Sequence, residues 1–291
     1  MVLVGGHESG NGADLSFVPD LMPGAFVTPA GRPLHNLLAQ LLGRTLEAGS
    51  GIQPVVVLPM TFGRNPTLIA DTAKTLRWLS AEAATRNAAA PLALADPFGT
   101  ADHLTAWLRT AAIEVRRKSP EAAMLITSDA ANPFDDADLY RITHLVRTHG
   151  AGIPVETAAV ASTGGLLEAV RRLRRLGSTR TVVVPAGFRR AGTIRSEPVP
   201  YGAGEFSDAE FYGPLLSERA VLRVIGDRVR DALHGLSHGR TGVEAGLQAD
   251  HSHGYAHSHA FEESGGGHSH PHSHGMAAGH THSHPAPAGT N

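Results

Sequence analysis

Short apolar runs rich in Val, Ile and Leu alternate with longer amphipathic stretches along most of this chain. Parallel strands buried on both faces read as such runs, and the helices that connect them carry apolar residues every three or four positions. The runs predict strands at Val2–Val4, Pro54–Leu58, Leu92–Ala95, Ala123–Thr127, Val155–Val160 and Thr181–Val184. Helical spacing predicts helices at Leu34–Leu46, Pro66–Asn87, His103–Lys118, Asp136–His149 and Gly165–Leu176. In the last of these, Leu166, Leu167, Val170, Leu173 and Leu176 share one face, which leaves Arg171, Arg172, Arg174 and Arg175 to water. A Gly/Pro-rich segment, Glu197–Gly213, leads into a final amphipathic stretch, Leu215–Leu233, expected to close the second half. The fold class is α/β with parallel sheets. Pro19, Pro23, Pro29 and Pro33 argue against a continuous helix over Gly10–Pro33.

Strand-ending motifs recur. Pro54–Pro59 runs into Met60-Thr61-Phe62-Gly63-Arg64, and Thr181–Pro185 runs into Ala186-Gly187-Phe188-Arg189-Arg190. Val2-Leu3-Val4, ending at Gly5-Gly6-His7-Glu8-Ser9, is matched with Met124-Leu125-Ile126, ending at Thr127-Ser128-Asp129. This pattern reads as two copies of one α/β unit, residues 1–118 and 119–235, followed by a disordered tail over 236–291. Loops at the carboxyl ends of parallel strands bind ligands, so the two halves are expected to face each other across a cleft.

Histidine distribution adds a metal to the picture. Eleven of the 18 histidines fall between His251 and His284: His251, His253, His257, His259, His268, His270, His272, His274, His280, His282 and His284. Gly, Ser, Ala and Pro separate them, and such residues cannot build a core. Imidazole suits Zn, Ni, Co and Cu, and the absence of cysteine removes thiolate and iron–sulfur chemistry. A net charge of −2 gives no footprint for nucleic acid. No apolar stretch is long enough to span a bilayer, and Met1 leads into a strand without a charged leader, so a cytoplasmic location is expected. Phosphate-loop, dinucleotide and nucleophile-elbow motifs are absent.

Gly6-His7-Glu8-Ser9 after a strand, the Val-Val-Val strands ending in Pro with a Gly beyond, and the tandem repeat resemble the CbiX-type sirohydrochlorin chelatases. The resemblance spans roughly Met1–Arg195 and is most specific over Ser128-Asp129, Asn132-Pro133, Asp136-Ala137-Asp138 and Ile142, with Asp96-Pro97-Phe98-Gly99 in support. It implies two tandem ferrochelatase-like domains that insert Co²⁺ into sirohydrochlorin, a polycarboxylate tetrapyrrole, during cobalamin synthesis. Co²⁺ is then a substrate, with Ni²⁺ or Fe²⁺ as alternatives, and no prosthetic group is needed.

That reaction passes a cation to ring nitrogens and removes two pyrrolic protons. A neutral imidazole can coordinate the metal and accept a proton near neutral pH. His7 matches the histidine of the family motif, and Glu8 beside it can balance charge or relay a proton. Asn65 stands where the family carries a second histidine; its carbonyl can accept a hydrogen bond, but it is no base. Asp71 is set in the place of a following family aspartate, and His35 and His103 are candidate replacements for the lost histidine. His144 and His149 read as surface residues. Arg64, Arg189 and Arg190, with Ser9 of the motif, are candidates for holding the substrate, because guanidinium pairs with carboxylate in a two-pronged fork. The rival reading is a non-catalytic cobalt or nickel store or metallochaperone on a degenerate chelatase body.

Overall fold

The computed structural model describes residues 1–47, 53–85, 91–149 and 151–249. All eleven histidines from His251 to His284 lie outside the described residues. The chain opens with β1 (Val2–Gly5), a 3-10 segment (His7–Leu15), α1 (Val18–Leu21), β2 (Phe26–Pro29), α2 (Arg32–Glu47), β3 (Val55–Met60), α3 (Pro66–Thr85), β4 (Leu92–Leu94) and α4 (Ala101–Lys118). It continues with β5 (Ala122–Asp129), α5 (Pro133–Thr148), β6 (Val155–Val160), α6 (Thr163–Arg175), β7 (Arg180–Pro185), the short strands β8 (Thr193–Ile194) and β9 (Glu197–Pro198), β10 (Ala209–Phe211), α7 (Glu218–Ser237) and α8 (Val243–Leu247). Two parallel four-stranded sheets result, in the orders β2-β1-β3-β4 and β10-β7-β5-β6. The expected α/β class with parallel sheets is what the chain adopts.

Alternation along each strand sorts the core into layers. Leu3, Val56, Leu58 and Met60 of the first sheet share one cluster with Met124, Ile126, Val182 and Val184 of the second. Residues of α4, α5 and α7 fill the space between, among them Leu104, Leu108, Leu139, Ile142, Val221 and Ile225. On the outer face of the first sheet, Val2, Val4, Val55 and Val57 pack against Leu34 and Leu38 of α2 and Leu68, Leu76 and Leu79 of α3. On that of the second, Ala123, Leu125 and Val183 pack against Leu166, Val170 and Leu173 of α6.

The repeat is visible in the strand order, since β1 pairs with β3 as β5 pairs with β7. Its phase differs from the expected match. Val2 and Val4 face the outer layer while Met124 and Ile126 face the inner one, so the correspondence is shifted by an odd number of residues. The proline-rich segment occupies the place of α5 in the first unit, reduced to a 3-10 segment and the four-residue α1, and then supplies an edge strand that periodicity did not predict.

Two findings alter the expected boundaries. The last helix of each unit packs on the other unit's sheet: α4 lies against β5, β7 and α5, and α7 lies against β3 and β4. The stretch expected to close the second half therefore closes the first. The body also extends past residue 235, because α8 docks on α3 and β4, with Val243 buried and the Leu94 amide donating to the Thr241 carbonyl at 2.8 Å. Exchange of α4 and α7 leaves each half without one of its own walls. Fragments 1–118 and 119–249 expressed separately are expected to lack dispersed NMR spectra, and the two mixed or the intact chain to show one; a well-folded isolated half would contradict this packing.

Candidate functional site

The loops leaving β1, β3, β5 and β7 meet where the two sheets converge. The chain turns sharply after β1, and space there is tight: a side chain on Gly6 would come within 2.5 Å of the Asn65 amide nitrogen. This close approach places His7 beside Asn65, with Asn65 Nδ2 3.1 Å from His7 Nδ1. Asn65 precedes α3 and caps it, its Oδ1 accepting from the Leu68 amide at 3.0 Å. Asp135, in the first turn of α5, brings its Oδ2 to 3.7 Å from the same His7 nitrogen. His7 Nε2 is buried and has no hydrogen-bond partner.

Glu8 and Arg64 form the charged centre. The Glu8 carboxylate accepts from the Thr61 hydroxyl and from the Phe62 amide, the latter at 3.1 and 3.3 Å. Arg64 has 0% of its surface exposed. It leaves the first unit and donates to the Ala186 carbonyl at 3.4 Å, the Ser128 hydroxyl at 3.3 Å and the Asp135 carbonyl at 3.3 Å, all in the second. The Phe188 amide returns a hydrogen bond to the Glu8 carbonyl at 2.9 Å, and Phe62 stacks on Phe188 at 4.9 Å. A side chain at Gly187 would meet that same carbonyl at 2.5 Å, so glycine is required for the contact. The expected cleft is thus bridged, leaving a polar space of about 10 Å³ lined by His7, Glu8, Asp14, Asp129, Gly187 and Arg189 among others.

Burial dominates the electrostatics. It pulls His7 down from 6.5 to about 4, with the Arg64 charge acting in the same direction. Glu8 is pushed up by burial against the pull of Arg64, Thr61 and Phe62, and burial also raises Asp135 and Asp14. Near neutral pH the site therefore holds an uncharged imidazole beside carboxyl groups that burial raises above the usual carboxylate range.

Of the residues named from sequence, His7, Glu8, Arg64 and Asn65 come together. Arg189 also lines the space, paired with Asp129. Arg190 turns away to Glu218 at 3.1 Å and lies over the Phe17 ring. The Ser9 hydroxyl is spent locally on the Gly6 carbonyl at 3.2 Å. His35 packs on Trp78, His103 caps α4 through Thr100, and Asp71 pairs with Lys74 on α3, so none of them stands in for a second histidine beside His7. His144 and His149 are exposed, as expected. Asp135, Asp14 and Thr61 were not singled out. Asp135 adjoins the Asp136 motif, and only the fold brings it to His7. Among the described residues no group of three side chains is assembled as a ready metal cage, and no helix is long and apolar enough to cross a membrane.

No protein-family model matches the chain, and no curated protein matches it by sequence. Among solved structures it is similar to the crystal structure of the sirohydrochlorin chelatase SirB from Bacillus subtilis subspecies spizizenii in complex with cobalt, at 12% identity and a TM-score of 0.41, over 80% of this chain and 94% of that one.

Two measurements test the site. As pH falls, unfolded chains protonate His7 near 6.5 and folded ones only near 4, so its contribution to stability, present above 6.5, is lost across that window. At about 1.4 kcal/mol per unit this is on the order of 3 kcal/mol. The raised carboxyl groups act in the opposite sense. The clean readout is the difference between wild type and His7→Gln in urea unfolding, with the variant expected to gain that amount relative to wild type between pH 7 and 4. Arg64→Met is expected to cost about 3 to 5 kcal/mol in the same experiment at neutral pH, since it strips a buried network of its cation.

Proposed function

We propose that this protein is a metal chelatase, delivering a divalent cation, Co²⁺ by preference, into a sirohydrochlorin-type tetrapyrrole, with His7 as the ligand that receives the metal. The observation that carries this reading is the uncharged, half-buried imidazole of His7, whose buried Nε2 has no partner among the described residues. An imidazole that is already neutral near pH 7 has no extra proton to lose to a cation, only its one ring proton to move from one nitrogen to the other. The same property makes it a weak acceptor for pyrrolic protons, so the proton-accepting role falls to Glu8, whose carboxyl is raised toward the operating range. Asn65 holds the imidazole rather than replacing the lost base.

The walls suit a polycarboxylate. Arg189 lines the space and is neutralised by Asp129, and a substrate carboxylate entering there would take over that pairing. A macrocycle is far larger than the space of about 10 Å³, so substrate entry requires the loops after β3 and β7 to part. In this reading the tail histidines from His251 to His284 serve as a reservoir that supplies the metal.

The narrowness of that space favours a second reading, in which the body holds or docks and the tail stores cobalt or nickel. An anaerobic absorbance assay with sirohydrochlorin and Co²⁺ separates the two. Metal insertion faster than the uncatalysed rate, reduced about 100-fold or more by His7→Ala and retained when residues beyond 249 are removed, is expected for the chelatase. No acceleration by the intact chain would overturn it and leave storage.

A further inference from the structure

His7 Nδ1 has two neighbours with opposite demands. Asn65 cannot be turned around, because its Oδ1 accepts the Leu68 amide at the start of α3, and reversing the side chain would set two donors against each other. The group it presents to His7, 3.1 Å away, is therefore always the Nδ2 donor. Nδ1 must accept, and the proton of the neutral ring sits on Nε2. That Nε2–H is buried and has no partner among the described residues, an unfavourable arrangement for a donor.

The second neighbour is an acceptor. Asp135 Oδ2 stands 3.7 Å from the same Nδ1, beyond hydrogen-bond length but within reach of a small ring rotation. Its position is set by its own helix, where the Asn132 side chain caps the Asp135 amide at 3.0 Å and the Asp135 carbonyl accepts from Arg64. A metal that binds Nε2 needs the lone pair there and so needs the proton on Nδ1. Asn65 Nδ2 cannot accept that proton, and Asp135 can.

We infer that Asn65 and Asp135 compete for Nδ1 of His7, so that Asn65 holds the empty site in its Nε2–H form and metal capture hands the ring to Asp135. One proton leaves Nε2, one arrives at Nδ1, and the ring stays neutral throughout. Asp135 is a positioning residue that acts through His7, the role carboxylates take behind metal-bound histidines. Asn65 is its opponent. The site thus carries a built-in preference for letting go, which suits a protein that must pass its metal on rather than keep it. This inference rests on the reading of His7 as metal ligand.

The test follows His7 alone in the full chain, so that zinc taken up by the tail does not confuse the readout. Long-range ¹H–¹⁵N spectra of histidine-labelled protein, with the His7 signal assigned through His7→Gln, report the tautomer directly. Zn²⁺ serves as the diamagnetic probe. The metal-free wild type is expected in the Nε2–H form, converting to Nδ1–H as Zn²⁺ is added. Asn65→Asp keeps the helix cap and offers an acceptor, and it is expected to show Nδ1–H before any metal is present and to load at about tenfold lower Zn²⁺. Asp135→Asn keeps shape and is expected to need at least tenfold more. A metal-free wild type already in the Nδ1–H form, or unchanged Zn²⁺ dependence in both variants, overturns the inference while leaving His7 as ligand. A His7 signal that Zn²⁺ never moves overturns both.

Discussion

A guanidinium with no exposed surface is costly unless its N–H groups are answered, and the carboxyl ends of both sheets bring three acceptors to the terminal nitrogens of Arg64, while its Nε has no partner among the described residues. Its partners are two main-chain carbonyls and one hydroxyl, drawn from the loop after β7, the end of β5 and the first turn of α5. None of these brings a counter-charge. The nearby negative charges, Glu8 and Asp135, are felt through space and are themselves raised by the same burial. Arg64 pulls both down while burial pushes both up, and His7 is left uncharged by burial first and by the Arg64 charge second. Burial sets the direction of every shift in the site, and the buried cation adds to it at His7 and opposes it at Glu8 and Asp135.

The same side chain ties the two units together. Arg64 crosses from one to the other, the Phe188 amide crosses back to the Glu8 carbonyl, and Phe62 stacks on Phe188 above them. Opening the space for a large ligand means breaking these together. A ligand with negative groups would compensate, since it could supply the guanidinium with the counter-charge that the closed form withholds. Closure and ligand charge are therefore linked through Arg64 rather than through a separate hinge.

Much of this was legible from the chain. Continuous Val, Ile and Leu runs gave away the inner strands because both faces are buried, and they gave away little about β2 and β10, whose short edge segments, such as Phe26–Pro29, lie partly exposed. His7 and Glu8 were readable from their motif. Asp135 was not, since its partner lies more than a hundred residues away and the helix it opens had been placed from Asp136 onward. The phase error between Val2 and Met124 has the same root: similarity of residue type carries no record of which face a residue takes when both faces are apolar. The crossing of α4 and α7 is likewise invisible to periodicity, which marks a buried face without naming what buries it.

Duplication has left the two units chemically unequal. In the first, the loop after the leading strand carries an imidazole and a carboxyl group, His7 and Glu8; the comparable loop of the second ends in Ser128 and Asp129, which answer Arg64 and Arg189. Arg64 reaches across the interface, whereas Arg189 pairs within its own unit. The first unit therefore holds the imidazole, the buried carboxyl and the cation that acts on both, and the second supplies the acceptors that hold that cation. The collapse of the first unit's opening helix into a 3-10 segment fits that division. A regular helix there would occupy the inner layer as α5 does, while the tight left-handed turn at Gly10, Asn11 and Gly12 lets Asp14 line the shared space and keeps the chain close under His7. The irregular stretch is what permits the two unequal loops to meet at a single imidazole.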